Sequence, residues 1–157
     1  MIVVSDSGPL IHLSRIEKLD ILKDFFEEIY IPEAVYRELT SSDKNLPGSK
    51  KVKRLNWIKQ EEIDDETAKQ LLTNRLDEGE SEAILLAKKI DAQILLIDDL
   101  AGRKTGRKYD IEVMGTLGVL EQAAKKNKIQ NLKEELIKLR EKGFWMDDDL
   151  FQKLIED

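Results

Sequence analysis

The sequence predicts an α/β fold in which a parallel β-sheet is sandwiched by α-helices in a single domain. Short apolar segments alternate along the chain with segments whose apolar residues recur at helical spacing, a pattern typical of such sheets. The clearest strand is the run 94–97, ILLI, which is uninterrupted and apolar, as expected for a strand buried on both faces. A length of 157 residues suffices for one core and is short for two.

The first half of the chain predicts a strand at each of three positions and helices between them. The run 2–5, IVVS, predicts a buried strand, and Pro9 lies in the first turn of the helix that follows. Residues 18–26 form an amphipathic helix, and a strand at 29–31 precedes a helix from Pro32 to about Leu39. We expect a turn at 45–48, NLPG, and a short strand at 57–59.

The second half continues the alternation and ends in helices. A helix is predicted over about 64–76, and the pattern Asp77-x-x-Glu80 indicates a capping box for a helix to about Lys89. An edge strand at 111–114 and a helix over 116–126 follow the central strand. From about residue 129 the pattern is helical, so we expect one domain of residues 1–157 with a C-terminal helical extension.

The composition excludes several classes of site. The absence of cysteine excludes disulfides, thiolate catalysis and cysteine-ligated zinc or iron–sulfur centres. His12 is the sole histidine and lies in an apolar helix, which favours a packed side chain over a metal ligand. Gly102 and Gly106 lack the Lys-Ser/Thr of a P-loop. No run reaches the length of a membrane span and no signal peptide follows Met1, so we expect a cytoplasmic protein.

The charge is acidic overall but locally basic. A net charge of −6 argues against nonspecific coating of nucleic acid. Each of two basic clusters is either a solvated face or part of a local groove, and the second lies close to candidate site acids. The first cluster consists of Lys50, Lys51, Lys53 and Arg54, and the second of Arg103, Lys104, Arg107 and Lys108.

Five carboxylates lie where strands end or helices begin: Asp6, Glu38, Glu82, Asp98 and Asp99. The carboxyl ends of parallel strands share one edge of a sheet, so these acids could converge. Two unit charges a few ångströms apart repel by about 4 kcal/mol at an effective dielectric of 20, so convergent carboxylates favour a bound cation. Ligation by oxygen alone suits Mg²⁺ or Mn²⁺, and such ions commonly drive phosphoryl transfer. The hypothesis is a metal-dependent nuclease.

Each acid also has a structural explanation. An Asp after a strand, such as Asp6, commonly caps a helix, and Glu38 could be an ordinary exposed helical residue. Glu82 shares a first turn with Glu78 and Glu80; the helix dipole favours anions there, but three acids exceed what capping requires. A small rotation of this helix would put Glu80 in the place of Glu82.

The adjacent pair Asp98 and Asp99 is the strongest signal, because turn chemistry requires only one acid. A response-regulator-like receiver domain also gathers carboxylates around Mg²⁺. That fold would require a phosphoacceptor Asp at a middle strand end and a later strand-end Lys, neither of which is evident.

Five segments together resemble the PIN-domain nucleases, and more narrowly the predicted nucleic acid-binding branch close to VapC-like toxins. They are 4–11, VSDSGPLI; 31–39, IPEAVYREL; 76–84, LDEGESEAI; 95–99, LLIDD; and 114–120, MGTLGVL. The segments occur in the family's order, and the resemblance extends over essentially the whole chain.

The resemblance implies a Mg²⁺- or Mn²⁺-dependent endoribonuclease that hydrolyses RNA phosphodiester bonds, often a homodimer and often the toxin paired with a small antitoxin protein. Matched motif by motif, its catalytic acids fall on Asp6, Glu38, Glu82 and Asp99, with Asp98 as the alternative fourth acid. The third position is typically Asp in VapC-like toxins, and Glu82 departs from that pattern.

On this basis the metal would be held by Asp6, Glu82 and Asp98 or Asp99, while Glu38 binds a second ion or orients the attacking water. The positive side chains of Arg103, Lys104 and Arg107 are expected to contact RNA phosphates. The alternative is a non-catalytic PIN-like module that binds RNA or protein, and the acidic residues at all four positions argue against it. Apolar residues near the C-terminus, among them Trp145, either complete the core or form an interface.

Overall fold

The computed structural model describes residues 1–41 and 55–156. Within them, five strands form one sheet in the order β3-β2-β1-β4-β5, and every neighbouring pair is parallel. The strands are β1 (Val3–Ser5), β2 (Ile29–Pro32), β3 (Ile58–Glu61), β4 (Ile94–Leu96) and β5 (Glu112–Met114). The turn predicted at 45–48 and the basic cluster of Lys50, Lys51, Lys53 and Arg54 lie outside the described residues.

Nine helices belong to this described part of the chain. They are α1 (Ser7–Arg15), α2 (Asp20–Phe26), α3 (Glu33–Thr40), α4 (Glu66–Leu72), α5 (Glu78–Lys89), α6 (Leu100–Lys108), α7 (Thr116–Lys125), α8 (Leu132–Glu141) and α9 (Asp148–Glu156). No helix in the described residues is long and apolar enough to cross a membrane.

The register of the sheet brings the ends of β1 and β4 together. Val4 is opposite Leu95 and Ser5 is opposite Leu96, and the backbone N–H of Asp6 donates to the Leu96 carbonyl at 2.8 Å. The residues that follow these two strands therefore leave the sheet side by side. This placement supplies the shared edge that the strand-end acids require.

Two apolar cores cover the two faces of the sheet, as the predicted fold class requires. Val3 belongs to the larger core and Val4 to the other, because successive side chains of a strand point to opposite faces. Helices α1, α2, α7 and α8 contribute to the larger core, and α5 to the smaller one. The prediction of a parallel sheet sandwiched by helices is confirmed.

Helix α6 is an element that the hydropathy pattern does not predict. Its side toward the sheet carries glycine instead of apolar residues: a Cβ on Gly102 would lie 2.4 Å from Ile97 Cδ1, and one on Gly106 would lie 2.8 Å from Val113 Cγ1. Hydrophobic periodicity is the main sequence signal for an amphipathic helix, and glycine removes that signal. The helix packs by close backbone approach, which the hydropathy pattern does not reveal.

The C-terminal segment after α8 is partly built into the larger core. Phe144 packs against this core, and Met146 is 3% exposed. Trp145 and Leu150, by contrast, are 81% and 38% exposed. The tail therefore completes the core in part and leaves Trp145 and Leu150 on the surface, and its role as an interface stays a prediction.

Candidate metal centre

Asp6 lies at the centre of the acidic edge. It follows β1 in extended conformation and is only 7% exposed. Burial raises the pKa of Asp6 to about 7, helped by the negative charges of Asp77, Glu38 and Asp98, although a hydrogen bond from the Ser7 backbone N–H opposes the shift. A buried carboxyl surrounded by three other acids is the electrostatic environment that a cation would relieve.

The absence of a side chain at Gly79 leaves a space that three of these acids surround. The position of a Cβ on Gly79 would lie 3.4 Å from Glu38 Oε2, 3.5 Å from Asp6 Oδ1 and 3.6 Å from Asp77 Oδ1. Asp6 comes from the end of β1, Glu38 from the second turn of α3, and Asp77 from the start of α5. The structure thus brings together two of the predicted acids, Asp6 and Glu38, with Asp77, which the sequence pattern predicts only as a helix cap.

Asp77 is the site residue that sequence reasoning missed. Its side chain accepts a hydrogen bond from the Glu80 N–H at 2.7 Å, and Glu80 Oε1 accepts one from the Asp77 N–H at 3.1 Å, which confirms the predicted capping box. In the sequence, the capping pattern alone explains an acid at Asp77. The neighbouring Gly79 was the available signal, because glycine in a first helical turn permits close approach to the backbone.

Asp98 joins the acidic edge to the start of α7. Its Oδ1 accepts from the Thr116 N–H and its Oδ2 from the Thr116 hydroxyl, both at 2.7 Å. This approach depends on Gly115, where a Cβ would lie 2.8 Å from Asp98 Oδ1. Asp98 therefore has a structural role, and it is also close enough to Asp6 to raise its pKa.

Asp99 and Glu80 form a second acidic pair beside Asp77. Asp99 caps α6 by accepting from the Gly102 N–H at 2.8 Å. The pKa of Glu80 is raised to about 8, first by burial and then by its hydrogen bond with Asp99 and the charges of Asp77 and Asp99. Glu80 consequently keeps its proton at neutral pH, so the pair carries less than two negative charges.

Glu82 is buried and already neutralised by a cation. Its Oε1 accepts from the Ala34 N–H at 3.1 Å, at the start of α3, and its Oε2 lies 3.0 Å from Lys69 Nζ. Its carboxylate holds α3, which carries Glu38, against α5 and α4. These contacts favour a structural role, and the assignment of Glu82 as a metal ligand stays a prediction.

The predicted nucleic acid-binding side chains lie along α6. Arg103 is half-buried, while Lys104 and Arg107 are exposed. Within the described residues these three cations form no ion pair, and Arg103 Nε is buried without a hydrogen-bond partner. Positive charge next to the acidic edge is therefore available to an anion.

The donor set around Gly79 fits a hard divalent cation. It consists of carboxylate oxygens, which suit Mg²⁺ and Mn²⁺. Among the described residues, no three acidic or histidine side chains are already spaced as ligands of one ion. Binding of one ion by Asp6, Glu38 and Asp77 would therefore require their carboxylates to move closer together.

Comparisons with known proteins agree with the fold. A family model described as PIN domain matches residues 2–157. The fold resembles that of a PilT N-terminus domain protein from the hyperthermophilic archaeon Sulfolobus solfataricus, with a TM-score of 0.60 and 14% identity over 78% of this chain and 93% of that one. No curated protein matches the sequence. With residues 2–157 covered by the family model, the chain belongs to the PIN domain family.

Proposed function

We propose that this protein is a Mg²⁺- or Mn²⁺-dependent endoribonuclease that hydrolyses RNA phosphodiester bonds. PIN domains are generally metal-dependent nucleases, and that family property is the starting point. The observation that supports the proposal is the space at Gly79. Oxygens of Asp6, Glu38 and Asp77 lie 3.4–3.6 Å from the position that a Cβ on Gly79 would occupy. A buried acid with a raised pKa in such a position is a strong candidate for function.

In this proposal the acidic side chains bind the ion and the basic side chains bind the RNA. Asp6, Glu38 and Asp77 would hold the ion, with Asp98 beside them and Asp99 and Glu82 kept as the further predicted ligands. A bound Mg²⁺ or Mn²⁺ supplies an activated water and stabilises the negative charge that grows on the phosphate.

The attacking water and the RNA strand must also be positioned. Glu38 is half-buried at the rim of the space, where its carboxylate can also orient a water by accepting a hydrogen bond from it. Arg103, Lys104 and Arg107 hold the RNA through phosphates, which orients the strand without reading its sequence. Because these contacts are electrostatic, RNA binding weakens as the salt concentration rises.

Substitution of Asp6 tests the catalytic proposal. We expect Asp6→Asn to reduce Mn²⁺-dependent cleavage of single-stranded RNA by at least about a hundredfold, because removal of one transition-state contact commonly costs that much. The fold should persist, since Asn has the size of Asp and Asp6 is surrounded by like charges. The assay is gel analysis of a labelled RNA, with circular dichroism of each variant.

The exposed surface variant Glu141→Gln, on α8, is the matched control for removal of one negative charge. Both proteins are purified in parallel, so that contaminating nuclease appears equally in both. Equal cleavage by Asp6→Asn and by the control would show that Asp6 is not part of a catalytic centre.

A non-catalytic PIN-like module that binds RNA or protein is the second candidate. It is favoured by the hydrogen bonds that already engage Asp98, Asp99 and Glu82, and by the lack of a preformed three-ligand cage among the described residues. Isothermal titration with Mn²⁺ separates the two candidates. Metal binding that Asp6→Asn abolishes supports the nuclease, and binding of RNA without any metal uptake supports the module.

A role as the toxin of a toxin–antitoxin pair, and assembly as a homodimer, stay predictions. Neither follows from the metal centre. A small neighbouring gene whose product co-purifies with this protein and inhibits its cleavage of RNA would establish the first, and sedimentation at micromolar concentration would establish the second.

A further inference from the structure

A cleft of about 720 Å³ opens directly beside the acidic edge. Its walls come from the end of β4 (Asp98 and Asp99), from the start of α7 and from the segment before α9. Asp98 belongs both to this cleft and to the group of acids around Asp6. Whatever occupies the cleft therefore lies next to the candidate metal centre.

Trp145 lines this cleft and is 81% exposed. Its neighbours are fixed: Phe144 packs edge-on against His12 with ring centroids 4.8 Å apart, and Met146 is 3% exposed. Trp145 therefore lies between two packed residues with its own ring in solvent. This exposure of apolar area is unfavourable and adds nothing to the core. Such a ring is suited to stacking against a ligand.

Arg103 supplies the cleft with positive charge. It lines the same cleft, and its Nη1 lies 3.8 Å from the position of a Cβ on Gly115, close to Asp98. Its Nε is buried and has no hydrogen-bond partner, and the described residues offer the guanidinium no ion pair. An unpaired guanidinium in the cleft that Asp98 and Asp99 also line is available to an anion such as phosphate.

We infer that this cleft binds one unstacked nucleotide of the RNA beside the cleaved bond, with its base on Trp145 and a phosphate on Arg103. The inference rests on the proposed function, because it takes RNA as the substrate. Single-stranded nucleic acid is commonly held by aromatic rings that stack bases and by cations that follow the backbone. The cleft offers both, with Met114 and Leu117 as further apolar walls.

Intrinsic fluorescence tests the inference without any cleavage. The chain contains two tryptophans, and Trp57 is 4% exposed, so Trp57→Phe leaves Trp145 as the only tryptophan, which is excited selectively at wavelengths that tyrosine does not absorb. In EDTA, which prevents metal-dependent cleavage, we titrate this variant with a short single-stranded RNA and with an abasic sugar-phosphate oligomer of equal length. RNA should quench Trp145 saturably and bind about tenfold more tightly than the abasic oligomer, as expected for one stacked base.

Arg103→Met in the same background should weaken the binding of both oligomers. Equal affinities for RNA and the abasic oligomer, or no quenching, would overturn the inference. Emission that changes with protein concentration alone would instead show that a second copy covers Trp145. If Trp57→Phe does not fold, the difference in emission between wild type and Trp145→Phe gives the same information.

Steady-state cleavage provides a second, independent measurement. We expect Trp145→Leu to raise KM by about tenfold and to change kcat by less than about twofold, because stacking contributes to binding more than to chemistry. Tyr109→Leu, at the end of α6, replaces an aromatic residue that is 39% exposed outside the cleft and should change neither constant.

The possible failures are distinguishable. Quenching by RNA without any cleavage would reject the nuclease and keep the nucleotide site. Cleavage with an unchanged KM for Trp145→Leu would reject the nucleotide site and keep the nuclease.

Discussion

Gly79 is the residue on which the candidate metal centre depends most directly. An alanine Cβ at this position would stand at ordinary contact distance, 3.4–3.6 Å, from oxygens of Glu38, Asp6 and Asp77, so it would fit without a clash. It would, however, occupy the space that these acids surround. Substitution of Gly79 by alanine should therefore affect the stability of the fold and the binding of an ion in opposite directions.

Gly79→Ala should therefore stabilise the metal-free protein and weaken metal binding. Alanine is favoured over glycine in a helix by about 1 kcal/mol, which raises the melting temperature by about 2–4 °C for a domain of this size. The stabilisation that millimolar Mn²⁺ adds to wild type should shrink or disappear. Thermal melts with and without Mn²⁺ measure both effects, and an undiminished response to Mn²⁺ would place the ion elsewhere.

Glu82 and Glu80 provide a matched pair of acids on one helix. Glu82→Gln removes the negative charge that pairs with Lys69 and should lower the free energy of unfolding by about 1–3 kcal/mol. Glu80→Gln replaces a carboxyl whose raised pKa keeps it protonated at neutral pH, so its effect on stability should be small. Urea denaturation compares the two variants. A stable Glu82→Gln that no longer binds Mn²⁺ would instead support the predicted role of Glu82 as a ligand.

At the scale of elements, α6 links the sheet to the proposed contacts with RNA. It is capped by Asp99, rests on Ile97 through Gly102, and carries Arg103 toward the cleft. The close packing of its glycine side determines where its cations stand. A change in that packing should affect both stability and RNA binding.

Gly102→Ala tests this connection. The added methyl would lie 2.4 Å from Ile97 Cδ1, which is fully buried. Overpacking typically destabilises a protein by about 1–3 kcal/mol. This loss exceeds the gain of up to about 1 kcal/mol from the higher helix propensity of alanine. We expect a lower melting temperature and weaker RNA binding. Lys104→Ala on the exposed side of α6 is the stability control and should leave the melting temperature unchanged. A wild-type melting temperature for Gly102→Ala would contradict the observed packing.

For the whole molecule, the raised pKa values of Asp6 and Glu80 link stability to pH. The folded protein holds protons on these groups up to about pH 7 and 8, whereas the unfolded chain releases them near the ordinary values of 3.8 and 4.5. Between these limits the folded state binds more protons, so the metal-free protein should lose stability as pH rises from about 5 to 8. Stability is thus greatest on the acidic side of this window.

A divalent ion should reverse this loss, because it binds the deprotonated acids of the folded state. At about a hundred times its dissociation constant it adds about 2.7 kcal/mol, which corresponds to about 5–10 °C in melting temperature. Thermal melts from pH 5 to 8 should show a larger effect of Mn²⁺ at pH 8 than at pH 6, and a flatter metal-free profile for Asp6→Asn. A wild-type profile that is flat with pH and indifferent to Mn²⁺ would mean that the acids do not form one centre.

The fold class and most elements of this protein follow from local patterns in its sequence. Its strands are short apolar runs and its helices are amphipathic or capped, so local pattern and burial agree in β4 and in the capping box of α5. The sequence also places Asp6 and Asp98 at the edge where parallel strands end, because that placement follows from connectivity alone.

Which acids lie close together, by contrast, depends on tertiary packing. Asp77 lies near Asp6 and Glu38 around Gly79, where the lack of a side chain leaves room for all three. Glu82 instead contacts Lys69 and the Ala34 N–H at the start of α3. Residue type and spacing do not encode these partners, since they depend on how helices distant in sequence pack on the sheet. The same reason explains α6, whose glycine side is visible only against Ile97 and Val113.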